Sequence, residues 1–154
     1  MKILVAYFSA EKGRTAAVAH EIAEYLKADP FRIEPEEPYS RWDLWWINPF
    51  ARCNREKFFR KEVPIEKRVE NFSDYDVVFL GFPIWYGCAP NVVTTFCRCH
   101  DWEGKKVFLF ATSRGSGIGR SVAMLESYMW HAKIVGAMLV KHPKEVANWL
   151  DKVL

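Results

Sequence analysis

Cysteine is scarce in this chain. Four residues, Cys53, Cys88, Cys97 and Cys99, stand among 154, and they do not make the pattern of a disulfide framework. Cys97-Arg-Cys99-His100 invites a metal reading, but its spacing is not that of a zinc knuckle. No second Cys or His pair completes a tetrahedral set, so cysteines in the core or on a helix face are the better expectation. No apolar stretch approaches the roughly 20 residues that cross a bilayer. The start, Met1-Lys2 followed by Ile3 to Phe8, has an apolar run too short for a signal peptide and reads as a first strand. A cytoplasmic protein without a membrane partner is expected. Also lacking are a Walker ending of Gly-Lys-Ser/Thr and the Gly-x-Gly-x-x-Gly turn of dinucleotide folds. No side chain stands out as an acid, base or nucleophile. Glu11, His100 and His131 can be nominated, and each reads as a surface residue.

What is present is the composition of a globular protein, 50% hydrophobic and 27% charged, with enough chain for one well-buried core in a single domain spanning 1–154. Aromatics are abundant at 16%, with seven tryptophans. The net charge of +3 is uneven: Arg52 to Arg68 holds seven basic residues against three acidic, and the chain before it is net negative. No nucleic-acid motif accompanies that basic stretch, so a nucleic-acid partner is not expected. A solvated surface connection and a docking patch for an acidic partner both remain open.

Ile3, Leu4, Val5 and Ala6 read as a buried strand over Lys2 to Phe8. Val18, Ile22 and Leu26, with Ala19 and Ala23 beside them, trace one face of an amphipathic helix. Asp29-Pro30 is expected to stop it, and a short second strand is expected over Phe31 to Glu34. From Pro35 to about Asn71 the chain shows no clear period, an irregular excursion of a kind that is usually functional; partial helix is expected around Asn54 to Lys61. Val77, Val78, Phe79 and Leu80 mark a strand from Asp76 to Gly81 that is buried on both faces. It is expected to break at Gly81 and Pro83. A helix opens after Pro90, over Asn91 to Cys99, and Gly104 is a turn. A strand covers Val107 to Ala111, and a helical pattern runs through Val122, Leu125 and Met129. Ile134 to Val140 is a last strand. Pro143 suits the first position of a terminal helix with Val146, Trp149 (or Leu150) and Val153 inward. Alternating strands and helices predict an α/β fold, a doubly wound parallel sheet with helices on both faces.

Such sheets bind ligands outside the carboxyl ends of their strands, where the strand order reverses. Three loops meet that rim. Ser9-Ala10-Glu11-Lys12-Gly13-Arg14-Thr15 leads into a helix whose first amides suit a phosphate; Ser9 and Thr15 add hydroxyls, Lys12 and Arg14 charge, and Gly13 close backbone approach. An ordinary Ser or Thr helix cap is the alternative. Phe82 to Pro90 carries Trp85 and Tyr86, adjacent rings suited to stack on a planar ligand or to pack in a core or interface. Thr112-Ser-Arg-Gly-Ser-Gly-Ile-Gly119 can bring backbone amides to a ring edge, or serve as a flexible turn. Together the three loops fit a phosphorylated flat heterocycle.

Gly81-Phe82-Pro83-Ile84-Trp85-Tyr86-Gly87-Cys88-Ala89-Pro90 resembles the strand-to-loop run of flavodoxin-like proteins. The Lys2-Ile-Leu-Val-Ala-Tyr-Phe-Ser9 start, the Ala111 to Gly119 loop and the terminal helix with Trp149 are similar in place and order. The resemblance covers nearly the whole chain. It is closest to short bacterial members with a Pro-Tyr segment, here Pro38-Tyr39, before a long charged excursion. It implies a five-stranded sheet in order 2-1-3-4-5 and one bound FMN. Carried over by position, Ser9, Gly13, Arg14 and Thr15, with Lys12 beside them, would hold the phosphate. Pro83, Ile84, Trp85, Tyr86 and Gly87 would flank the isoalloxazine. Thr112, Ser113, Arg114, Gly115, Gly117 and Gly119 would line its pyrimidine edge. Two departures stand out. The family's phosphate loop usually runs Ser/Thr-x-Thr-Gly-x-Thr, and here Lys12 takes the inner Thr position while Ser9 sits one residue upstream. Electron-transfer flavodoxins are also typically acidic.

The expected role is an FMN-binding redox protein that passes electrons to a partner protein or a small-molecule acceptor. The alternatives are an NAD(P)H-dependent quinone or small-molecule reductase, and an interaction protein of the same fold that binds FMN weakly. Trp42, Trp45, Trp46 and Trp85 point to a homodimer. If the basic stretch is a docking patch rather than a solvated connection, Arg55, Lys57, Arg60 and Lys61 are its surface for an acidic partner or anionic substrate.

Overall fold

The computed structural model describes residues 1–9, 13–36, 63–85, 88–113, 118 and 120–154. Five parallel strands, β1 (Ile3–Tyr7), β2 (Asp29–Arg32), β3 (Val77–Pro83), β4 (Lys106–Thr112) and β5 (Lys133–Leu139), form one sheet in the order β2-β1-β3-β4-β5. The doubly wound sheet expected from the alternation, and the order implied by the resemblance, are both present. The order reverses between β1 and β3, which places the crevice of this fold above those two strands.

Helices α1 (Arg14–Leu26), α2 (Asn91–Arg98), α3 (Ser121–Glu126) and α4 (Val146–Val153) cover the sheet on both sides. Val18, Ala19 and Ile22 of α1 and Val146, Trp149 and Leu150 of α4 pack on one face, against Val5, Tyr7, Val77 and Phe79. Both Trp149 and Leu150 are buried, so the terminal helix turns both inward. Val92, Val93 and Phe96 of α2 and Leu125 of α3 pack on the other face, against Leu4, Ala6, Val78 and Leu80. Because neighbouring strand residues point to opposite faces, β3 is buried along its whole apolar run, which is why its sequence shows no alternation. Cys97 lies within the second core, fully buried, and burial pushes its thiol up from the ordinary range.

Three expectations need correction. The second strand begins at Asp29, not Phe31. Lys27, in the left-handed region at φ 53°, ends α1 first, with the Ala28 amide donating to Ala23 O (2.9 Å) and the Lys27 amide to Glu24 O (3.4 Å). Asp29-Pro30 therefore opens the strand. Proline is tolerated there because β2 is an edge: Ile33 donates to Tyr7 O (2.7 Å), so by alternation the nitrogen of Pro30 faces away from β1.

The chain also does not break at Gly81. β3 continues to Pro83, paired with β4 through Phe82–Ala111 and Pro83–Thr112. Gly81 is needed because the Phe110 ring of β4 lies where its Cβ would be. Finally, His100 is not a surface residue. It is half-buried against Phe72 and Phe96, at centroid distances of 4.5 and 4.4 Å. His131 is exposed as expected, and Glu11 lies outside the described residues.

The two ends of the excursion are paired. Pro35 and Ile65 form an antiparallel bridge, with the Glu36 amide on Pro64 O (3.0 Å) and the Glu66 amide on Glu34 O (2.7 Å). Val63 and Val69 are buried in the α2-side core. The helix expected around Asn54 to Lys61, the basic side chains at 55, 57, 60 and 61, and Trp42, Trp45 and Trp46 lie outside the described residues.

Candidate functional site

The carboxyl ends of β1, β3 and β4 are in register: Tyr7 pairs with Gly81, and Pro83 with Thr112. The three loops that leave these strands therefore start at one rim, as their sequence positions predict. Phe8 continues β1 by donating its amide to Gly81 O (3.0 Å), and Ser9 follows it, buried.

Gly13 caps α1 in the left-handed region, φ 66° and ψ 18°, with no side-chain cap of its own. A Cβ at Gly13 would meet nothing within 4 Å among the described residues, so the backbone there is open to close approach from them. The Ala17 amide already bonds to Gly13 O (3.0 Å), and the Ala16 amide to Ser9 Oγ (3.2 Å). The Arg14 and Thr15 amides have no intrahelical acceptor and point out of the helix start. Ser9 thus caps the helix from a distance, as the alternative reading of the first loop expects. Arg14 is exposed, whereas Thr15 is buried.

Thr15 connects the loops. Its Oγ1 lies 2.7 Å from Thr112 Oγ1, a buried contact between the start of α1 and the end of β4. The Ile84 amide donates to Thr112 O (2.9 Å), which ties in the loop after β3. Trp85 and Cys88 exchange both backbone hydrogen bonds (2.9 and 3.1 Å), which ties these two residues of the loop together. The indole of Trp85 is half-buried and meets the Phe8 ring edge-on at 5.7 Å. Pro83 and Ile84 are also half-buried, as is Ser113. Ser9, Gly13, Arg14, Thr15, Pro83, Ile84, Trp85, Thr112 and Ser113 are thereby brought to one rim. Lys12, Tyr86, Gly87, Arg114, Gly115, Gly117 and Gly119 lie outside the described residues.

Sequence reasoning missed one residue at the rim and one that lies next to it in sequence. Arg32, at the carboxyl end of β2, donates from Nη2 to Ser9 O (3.1 Å), and its guanidinium sits 6.0 Å from the centre of the Tyr7 ring. The signal was topological: β2 neighbours β1, so its last residue shares the rim. Ser121, fully buried at the first position of α3, has a hydroxyl with no hydrogen-bond partner among the described residues. It follows the third loop directly, and no composition signal marked it.

Amides and a hydroxyl at a helix start suit a phosphate dianion. A half-exposed indole beside them suits a flat ring. By this chemistry the rim fits a phosphorylated heterocycle of the flavin type. Among the described residues no helix is long and apolar enough to cross a membrane, and no three His, Cys, Asp or Glu side chains gather as a metal site.

Comparison with known proteins places this geometry in a class. The family model for flavodoxin matches residues 2–153, and the chain belongs to that family. Among solved structures it is similar to a candidate flavoprotein from Bacteroides eggerthii, at 38% identity over 99% of this chain and 97% of the other, TM-score 0.87. A candidate flavoprotein from Bacteroides uniformis is 30% identical over 97% of each chain, TM-score 0.86. A flavoprotein from Lactobacillus acidophilus, solved in complex with FMN, shares the fold at TM-score 0.71 and 19% identity, over 97% of this chain and 98% of the other. No functionally curated protein matches the sequence.

Proposed function

We propose that this chain binds FMN at the rim above β1, β3 and β4 and works as a redox carrier. The observation that supports the reading is the helix start: a left-handed Gly13 whose Cβ position is clear of the described residues, two amides without intrahelical acceptors, and the Thr15 hydroxyl held against the end of β4. The amides of Arg14 and Thr15 would hold the phosphate, and the Arg14 side chain would add charge from solvent. Trp85, braced by Phe8, would bound the ring on one side, and the loop after Thr112 would meet its polar edge. When bound, FMN supplies transfer of one or two electrons, and the protein's part is to bind and orient it. The partner is a redox protein or a small-molecule electron acceptor.

Titration of the purified protein with FMN, followed by visible absorbance and flavin fluorescence, tests the reading. Saturable binding is expected, with riboflavin much weaker because it lacks the phosphate. Equal affinity for the two would overturn the phosphate seat, and no binding would overturn the whole reading. Steady-state NADPH oxidation with a quinone acceptor then separates the two redox roles: a carrier gives negligible turnover on its own, a reductase does not.

A further inference from the structure

We infer that Thr112 is a positioning residue for the phosphate, acting through Thr15 on a ligand group it does not itself touch. The inference rests on the FMN reading above and deepens it.

Thr112 sits where the three loops meet. Its carbonyl accepts from the Ile84 amide (2.9 Å), and its hydroxyl lies 2.7 Å from that of Thr15. Both side chains are shielded from water, at 5% and 2% exposure. Each hydroxyl has one proton and two lone pairs, so the pair has two arrangements. If Thr15 donates to Thr112, Thr15 offers only lone pairs to anything else nearby. If Thr112 donates to Thr15, the Thr15 proton is free for an acceptor at the helix start. A phosphate dianion accepts and never donates, so it selects the second arrangement. In that arrangement Thr112 fixes the direction of the Thr15 proton, and the low dielectric around the pair strengthens both bonds.

Two consequences distinguish this role from simple packing. Removing the Thr112 hydroxyl should harm binding of the phosphorylated ligand and leave the ring's own contacts alone. Removing it should also cost nothing further once the Thr15 hydroxyl is gone, because the two hydroxyls act in series.

The test measures dissociation constants for FMN and riboflavin with the full chain, its Thr112→Val, Thr112→Ala and Thr112→Ser variants, Thr15→Val, and the double variant Thr15→Val/Thr112→Val. Thr112→Val should weaken FMN by about 3- to 10-fold, the range of one hydrogen bond, and leave riboflavin unchanged. Thr112→Ala, which has no γ-methyl groups to press on Thr15, should show the same selective loss. Thr112→Ser should restore wild-type selectivity. The double variant should bind FMN no worse than Thr15→Val. A loss shared equally by FMN and riboflavin, no loss at all, or additive losses in the double variant would overturn the inference and leave the FMN reading standing. A wild-type protein that does not prefer FMN to riboflavin would overturn both.

Discussion

At the scale of single residues, Gly81 and Trp85 carry the sharpest expectations. Gly81 has no side chain because the Phe110 ring occupies that space from the next strand. Gly81→Ala must push the ring off its place, at a cost of about 1–3 kcal/mol, as for overpacking in a close-packed core. Urea denaturation should record the loss, and adding Phe110→Leu to the variant should recover part of it; an unchanged midpoint would mean that the ring moves aside freely. Trp85 is the one platform ring among the described residues. Trp85→Ala should loosen FMN by on the order of 1 kcal/mol and reduce the quenching of flavin fluorescence. If affinity and quenching are both unchanged, the indole serves only its contact with Phe8. Glycine at 81 was visible in the sequence, but its cause was not. A ring that excludes a Cβ from a neighbouring strand leaves no mark near the glycine, and punctuation was the natural misreading.

At the scale of elements, the segment after the excursion is fastened to the end of α2 by one imidazole. His100 Nδ1–H donates to Phe96 O (2.8 Å), and Nε2 accepts from the Val69 amide (2.9 Å), an arrangement that only the neutral ring can make. Burial holds the His100 pKa below its usual 6.5; the bond to Phe96 works against this, and the Arg68 charge adds to it. The folded state therefore binds this proton less readily than the unfolded chain, and stability rises with pH between the two values. The contribution should be complete above the unfolded histidine value of about 6.5 and lost progressively as pH falls toward the depressed folded value. Denaturation from neutral to acid pH should show this slope in the wild type and a flatter one in His100→Gln; equal slopes would remove His100 from the account.

Elements were otherwise legible where one local signal ruled, as in the apolar runs of β1, β3 and β4 and the four-residue spacing of α1. They were misjudged where a neighbour decided. Pro30 looked like a helix stop until the edge position of β2 made it a strand residue. His100 looked like a surface residue or half of a metal pair until two backbone groups claimed both its nitrogens. At the site, the three loops were readable because each follows a strand, whereas Arg32 and the link from Thr15 to Thr112 depend on strand adjacency that no short motif encodes.

At the scale of the whole molecule, the basic stretch invites an acidic partner. Opposite charges speed encounter, and salt screens that gain over about 8 Å at physiological ionic strength. Electron transfer to the physiological partner should slow as salt rises, and charge reversal at Arg55, Lys57, Arg60 and Lys61 should slow it further. A salt-independent rate, untouched by the reversals, would make the stretch a solvated connection. The paired stem at Pro35 and Ile65 bears on how such a stretch can change over time. Because backbone bonds on Glu36 and Glu66 already hold the two ends together, the intervening segment leaves and rejoins the described fold at one place. Lengthening a closed loop is cheap, about 0.6 kcal/mol for each doubling. Evolution can therefore trade one such segment for another of different length and charge, and so change partners, while the flavin rim and the strand register stay as they are.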